Sequence, residues 1–262
     1  MKIIRYAMVL ACIGAAGCAT QPAGESALGP VAVTTGQEGA DRMRARIHTE
    51  LAAGYFELGN MSMALEELKI ATLADPSYAP AHGIGGLVYA ALKEDRLAEE
   101  SFQRALRLSP LDHDVNNNYG MFLCDRKREQ EAIGYFLAAV RNPLYQNPDR
   151  SLVNAGVCAR RRGDVGAAQG YFQQALKVQP NQTQALFQLA DLEFARGNFT
   201  DARDYLNRLK QMVAPTPELL WLGVRIERRL GDRNTEASYV QQLRNHFPAS
   251  KEAKALAAGT IE

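Results

Sequence analysis

What this 262-residue chain lacks narrows it first. It has only four cysteines, Cys12, Cys18, Cys124 and Cys158, and no Cys-x-x-Cys pair. It has only four histidines, His48, His82, His113 and His246, and none stands three to five residues from another. Those gaps remove the spacings of a zinc site. No Gly-x-Ser-x-Gly, phosphate-loop or His-Glu-x-x-His stretch occurs, so the familiar hydrolase, nucleotide and metalloprotease signatures are missing. An excess of one charge sign is missing too: the formal net charge is +1, which argues against a dedicated nucleic-acid binder. No apolar run approaches the ~20 residues that a membrane-spanning helix needs. β-branched residues are few while Ala, Leu, Gln and Arg abound, so helix is the expectation. What is present is ordinary globular composition, 47% hydrophobic and 23% charged, enough for a sizeable core.

The N-terminus has its own pattern. Lys2 and Arg5 precede an apolar stretch from Tyr6 to Ala16, the length of a signal-peptide core rather than a lasting span. Ala15, Ala16 and Gly17 then lead into Cys18. This resembles the bacterial lipobox, with Ala15 standing where Leu is usual. The expectation is a lipoprotein signal peptide over residues 1–17, with Cys18 kept as the lipidated first residue of the mature chain. An ordinary cleaved signal with an incidental cysteine is the alternative. Ala19, where inner-membrane lipoproteins often carry Asp, points to the outer membrane of a Gram-negative bacterium, with the domain facing the periplasm. Two or more acyl chains suffice for stable anchoring. That covalent lipid is the only non-protein group expected; no other cofactor is. Residues 18–43, rich in Gly, Pro, Ser, Thr and Ala, read as a flexible tether reaching on the order of 25–30 Å.

The body of the chain repeats. Ala64, Leu68, Ala71 and Pro76 recur 34 residues later as Ala98, Phe102, Ala105 and Pro110. The set returns as Ala132, Phe136 and Ala139, then, after a step of 36, as Ala168, Phe172, Ala175 and Pro180. A fifth set is Ala202, Leu206 and Leu209; a sixth, degenerate one ends in Leu243 and Pro248. Small residues at Ala52, Gly86, Gly120 and Gly156 recur in the first halves of the units and let paired helices approach. The pattern is that of tetratricopeptide repeats, two antiparallel helices per unit. The expected fold is all-α: a right-handed superhelix of about six such repeats over residues 44–250, twelve helices with a Pro stopping each second helix, and a C-terminal tail over 251–262.

Within this scaffold no catalytic group stands out. His48 and His82 share one slot of successive repeats and read as packing residues. The pairs Glu66/Glu67 and Glu99/Glu100 read as an exposed, solvated face. Arg160, Arg161 and Arg162 sit at a helix end, where they either answer the helix dipole or meet an acidic partner. Cys124 and Cys158 occupy unequal slots of adjacent repeats, which favours two small buried hydrophobes over a disulfide, although a periplasmic setting permits the bond.

What remains is a binding surface. First helices should line a concave face. Its groove positions read Gly83, Ile84 and Leu87 in repeat 2, Asn117, Asn118 and Met121 in repeat 3, and Val153, Asn154 and Val157 in repeat 4. Phe187 and Asp191 follow in repeat 5, and Trp221 and Arg225 in repeat 6. Apolar groups at solvent-open slots imply a groove for a peptide or helix. Trp221, the single Trp, reads either as a binding hot spot or as packing within the degenerate last repeat.

Several stretches go beyond the generic repeat: "NNYGMFLC" (Asn117 to Cys124), "LADLEFARGNFTDARDYL", "LLWLGVRIER" and "ASYVQQLRNHFPASKE". The insertion "NPLYQNPDRS" departs modestly from the family form at Pro148 and Asp149. Together with the lipobox and tether, these stretches resemble the type IV pilus biogenesis and stability lipoproteins, the PilF/PilW or pilotin family. The resemblance implies a non-enzymatic lipoprotein. It would bind the type IV pilus secretin subunit, carry it to the outer membrane and promote its assembly into a ring, supporting pilus extrusion and twitching motility. Neither a nucleic acid nor a small-molecule substrate is expected. The competing reading is another outer-membrane scaffold lipoprotein of the same repeat, such as a β-barrel assembly accessory factor.

Overall fold

A computed structural model describes residues 35–259, with side chains from residue 39. The signal-peptide residues 1–17, Cys18 and the first part of the tether lie outside the described residues. Thirteen α-helices and no strand occur among those described. Six antiparallel hairpins follow one another: α1 (Thr35–Glu57) with α2 (Met61–Ala74), α3 (Ala79–Ala91) with α4 (Asp95–Leu108), and α5 (His113–Asp125) with α6 (Glu129–Val140). Then come α7 (Pro148–Arg161) with α8 (Val165–Val178), α9 (Thr183–Arg196) with α10 (Phe199–Lys210), and α11 (Pro217–Leu230) with α12 (Arg233–His246). A short α13 (Lys251–Ala257) closes the series.

Each hairpin is built the same way. A small residue on the first helix faces a large side chain sixteen residues on, a ring in repeats 2, 3, 4 and 6 and a leucine, Leu68 or Leu206, in repeats 1 and 5. A Cβ added at Gly86, Gly120 or Gly156 would fall 2.6, 2.8 or 2.4 Å from the rings of Phe102, Phe136 or Phe172. Gly223 stands in the same relation to Tyr239, at 2.8 Å. The rings themselves are fully buried. The turn between the two helices also recurs. Gly59, Lys93, Lys127, Gly163, Gly197 and Gly231 all have positive φ, between 60° and 86°. The next residue donates its backbone N–H back to a carbonyl five residues earlier, as from Asp164 to Ala159 at 2.9 Å, closing the helix end. Glycine fills that left-handed position at four sites because only glycine adopts it without steric cost.

Each unit buries its apolar stripe only against its neighbours. First helices touch the first helices of the next unit from α1 through α11, and α11 touches α13. The backbones of second helices stand apart from one another, bridged only by side chains such as Lys210 on α10, which reaches the Tyr239 hydroxyl of α12 at 2.7 Å. A stack joined on one edge and open on the other must curve, so the first helices line the concave side.

Two boundaries differ from the sequence reading. Residues 35–43, read as the end of the tether, form the first turns of α1. The helix continues upstream because Arg42 is tied to the repeat: it pairs with Asp75 at 3.0 Å and lies 5.1 Å over the Tyr78 ring. The stretch read as a C-terminal tail contains α13, capped by Ser250, with Ala253 and Leu256 buried against α11 and α12. It covers the apolar end that the last repeat would otherwise expose.

Candidate functional site: the concave face

The inner face is shaped by a stagger between neighbouring first helices. A Cβ at Gly83 would meet Val115, 32 residues on, at 2.9 Å, although the repeat step there is 34. Asn117 accepts a 2.8 Å hydrogen bond from Ser151, 34 residues on, where the step is 36. Close neighbours are therefore two slots apart, not in the same slot.

That stagger overturns the expectation for the cysteines. Cys124 and Cys158, also 34 apart, form a disulfide with Cα atoms 5.9 Å from each other. Their unequal slots are what brings them together. The bond staples α5 to α7 on the concave side, inside the largest of the core clusters.

The expected groove residues divide into three kinds. Gly83 and Val153 are buried between helices and do not line an open face, because slot five packs against the next repeat. Asn117 and Asn154 are joined across the α5–α7 seam, with Asn154 donating to the Asn117 side-chain oxygen at 3.0 Å; Asn118 is half-buried beside them. Ile84, Leu87, Val157, Phe187 and Trp221 are half-buried, and Met121 is 45% exposed. These six form a discontinuous apolar strip along the inner surface. Trp221 packs against the C-terminal core while remaining partly open, so both readings of it contain part of the truth.

Charge enters at the C-terminal half. Arg160 donates to Asp191 at 2.5 Å and to Gln188 at 2.8 Å. Arg225 approaches the same carboxylate at 3.9 Å, stacks 4.3 Å over the Phe194 ring, and leaves its buried Nε without a partner. Two guanidiniums thus share one carboxylate. Nothing in the sequence pattern singled out Arg160 or Gln188 for this face; their separations from Asp191 follow no fixed repeat step. Arg160 and Arg161 do lie in the last turn of α7, as the dipole reading requires, but each also holds an intrachain partner. Arg161 reaches Asp125 and Arg162 reaches Asp164, both at 2.8 Å.

The paired glutamates are not uniformly solvated. Glu66 and Glu100 are exposed, whereas Glu67 meets His48 Nδ1 at 2.5 Å, so His48 holds a polar partner and is not a purely packing residue. Glu99 accepts from the Tyr119 hydroxyl at 2.9 Å and from Arg128 at 2.9 Å. Burial pushes the Tyr119 phenol up to about 12, and the Glu131 and Glu99 carboxylates hold the Arg128 charge more firmly still. The buried Glu193 accepts from Gln169 at 2.8 Å and Asn198 at 2.7 Å, and the buried Glu227 takes a 3.0 Å bond from Arg203 Nε. These carboxylates are tied into hairpin contacts. Among the described residues no group of three or more His, Cys, Asp or Glu could hold a metal ion.

Six staggered hairpins with a curved, partly apolar inner face define a tetratricopeptide-repeat protein, a scaffold class whose members act by binding other proteins. A tetratricopeptide-repeat family profile matches residues 96–146 and 154–217. The type IV pilus assembly protein PilF of Pseudomonas aeruginosa is 32% identical over 250 residues, spanning 95% of this chain and 96% of PilF. The crystal structure of PilW, described as a widely conserved type IV pilus biogenesis factor, superposes with a TM-score of 0.73 at 32% identity, covering 81% of this chain and 98% of PilW. The solved structure of Pseudomonas aeruginosa PilF gives 0.75 at 31% identity, covering 84% and 99%. The chain belongs to the PilF/PilW family.

Proposed function

We propose that this chain serves type IV pilus biogenesis as a carrier of the pilus secretin subunit. Its concave face would hold an apolar secretin segment in the periplasm, while a lipid on Cys18 holds the carrier at the outer membrane. Delivery to that membrane then favours assembly of the secretin ring and, through it, pilus extrusion and twitching. The observation that carries the reading is the strip Leu87, Met121, Val157, Phe187 and Trp221, half open on the inner face of a PilF/PilW-family member. Apolar groups left partly in water gain about 25 cal/mol per Å² when a partner covers them. The small residues before Cys18 support the anchor.

The test is immunoblotting of secretin multimers in membrane fractions of deletion and Cys18→Ala strains. Loss of outer-membrane multimers in both is the expected outcome. Normal multimers in the Cys18→Ala strain would defeat the carrier role. Intact multimers in the deletion strain, with outer-membrane barrel proteins depleted instead, would favour the β-barrel accessory reading.

A further inference from the structure

The backbones of successive second helices stand apart, which leaves clefts between them on the side away from the concave groove. The one between α4 and α6 has a cavity volume of about 570 Å³ and is lined by Leu106, Arg107, Gly134, Tyr135, Ala138 and Arg141. Leu106, Tyr135 and Ala138 give its floor an apolar part, beside Gln103, Pro110 and the buried Asn116. Its two arginines are exposed, and neither guanidinium has a hydrogen bond, ion pair or ring contact among the described residues. The single carboxylate in the lining, Glu131, is already neutralised by Arg128 at 2.8 Å. The cleft is therefore positive.

Gly134 is the second, independent sign. It lies in mid-helix on α6, exposed, and nothing lies within 4 Å of where its Cβ would be. A helix-interior glycine costs about 1 kcal/mol relative to alanine, and here no packing offsets it. The same slot carries Glu66, Glu100 and Asp204 in repeats 1, 2 and 5 and a second open glycine, Gly170, in repeat 4. Repeats 3 and 4 thus both lack the bulk and the negative charge, and in repeat 3 the gap falls at the cleft where two arginines stand unpaired. Bare backbone is what an approaching chain needs to come close.

We propose that the α4/α6 cleft is a second docking site, distinct from the concave groove, for an acidic peptide segment of a protein partner. Such a segment would place an apolar side chain over Leu106 and Ala138 and flanking carboxylates on Arg107 and Arg141, passing close over Gly134. Charge complementarity commits the occupant to an anionic chain, and the apolar part of the floor favours a peptide over a bare anion. A scaffold with two separate sites can hold two proteins at once, whatever occupies the groove.

The experiment titrates the isotope-labelled full chain with two peptides, acetyl-Ser-Glu-Leu-Glu-Ser-amide and its Gln-for-Glu counterpart, followed by amide and arginine Nε resonances. The Glu peptide should saturably shift Gly134, Arg107 and Arg141 at low salt and weaken severalfold at physiological ionic strength. The Gln peptide should leave them in place. Gly134→Glu, which restores the acid of repeats 1 and 2 and favours helix, should weaken the Glu peptide by about tenfold while the chain stays folded. Equal shifts with both peptides, shifts confined to Met121 and Trp221, no saturable shift, or undiminished binding to Gly134→Glu would each overturn the proposal.

Discussion

Replacing one glycine by alanine should have opposite consequences at two places in this molecule. At Gly156 the new methyl would stand 2.4 Å from Phe172 Cε1 and 2.7 Å from its Cδ1. Phe172 is fully buried, so its ring has no free volume to swing into. Alanine gains about 0.5–1 kcal/mol over glycine in a helix, whereas forcing one extra carbon into a packed core costs about 1–3 kcal/mol. The net effect at Gly156 is a loss of roughly 1–2 kcal/mol. At Gly134 nothing lies within 4 Å, so only the helix gain remains, about 0.5–1 kcal/mol of added stability. Urea unfolding followed by far-ultraviolet circular dichroism reads both, as shifts of the midpoint in opposite directions. A rescue sharpens the argument. Leu68 and Leu206 occupy the Phe172 slot in repeats 1 and 5, so Phe172→Leu combined with Gly156→Ala should recover part of the loss. If Gly156→Ala proves as stable as Gly134→Ala, the close helix contact is not what this slot of the repeat is for.

Removing the Cys124–Cys158 bond by Cys158→Ala should cost about 3–4 kcal/mol for the loop of this size, measured by urea unfolding, with reduction of the oxidised parent releasing two further thiols to a colorimetric reagent. Lys93 and Lys127 hold positive φ where the other four repeats have glycine, so Lys127→Gly should be neutral to stabilising by about 1 kcal/mol in the same assay, unlike most helix-end glycine substitutions. The raised Tyr119 phenol, held up by burial, contributes its full share below the ordinary tyrosine value near 10. That share is lost as the pH climbs from there through about 12. Burial also raises Tyr78, Tyr135 and Tyr205, so ultraviolet tyrosinate absorbance should show several late-titrating groups, of which the one near 12 is absent in Tyr119→Phe.

The repeat was legible because its period is carried by residues that packing makes obligatory, the Ala, Gly and ring positions such as Ala98, Gly120 and Phe136. The concave face was legible only in part. Counting slots finds Met121 and Val157, but it treats neighbouring helices as if equal slots met. The two-slot stagger joins Cys124 to Cys158 and hides Val153. Side-chain length is a second blind spot. Arg160 reaches Asp191 from a slot that a short residue could not use. Glu99, one of two adjacent acids, turns inward because Tyr119 and Arg128 await it from the next unit, which no local pattern encodes. The early start of α1 was masked by Gly36 and Gly39, which made a helix look like linker.

A stack fastened along its inner edge and parted along its outer one behaves as a leaf spring. Bending such a stack would open or close the gaps between second helices more than it alters the inner spacing, where first helices meet. The covalent staple between α5 and α7 fixes one joint of that spring outright. Compliance is therefore left to the joints on either side, where the buried core breaks into separate clusters around repeats 1–2 and 5–6. Anything that lies along the concave surface must match a rigid curvature at the centre and can draw the two arms in around itself. Grip at the ends and radius at the middle are then set by different contacts, and either can be altered by mutation without the other.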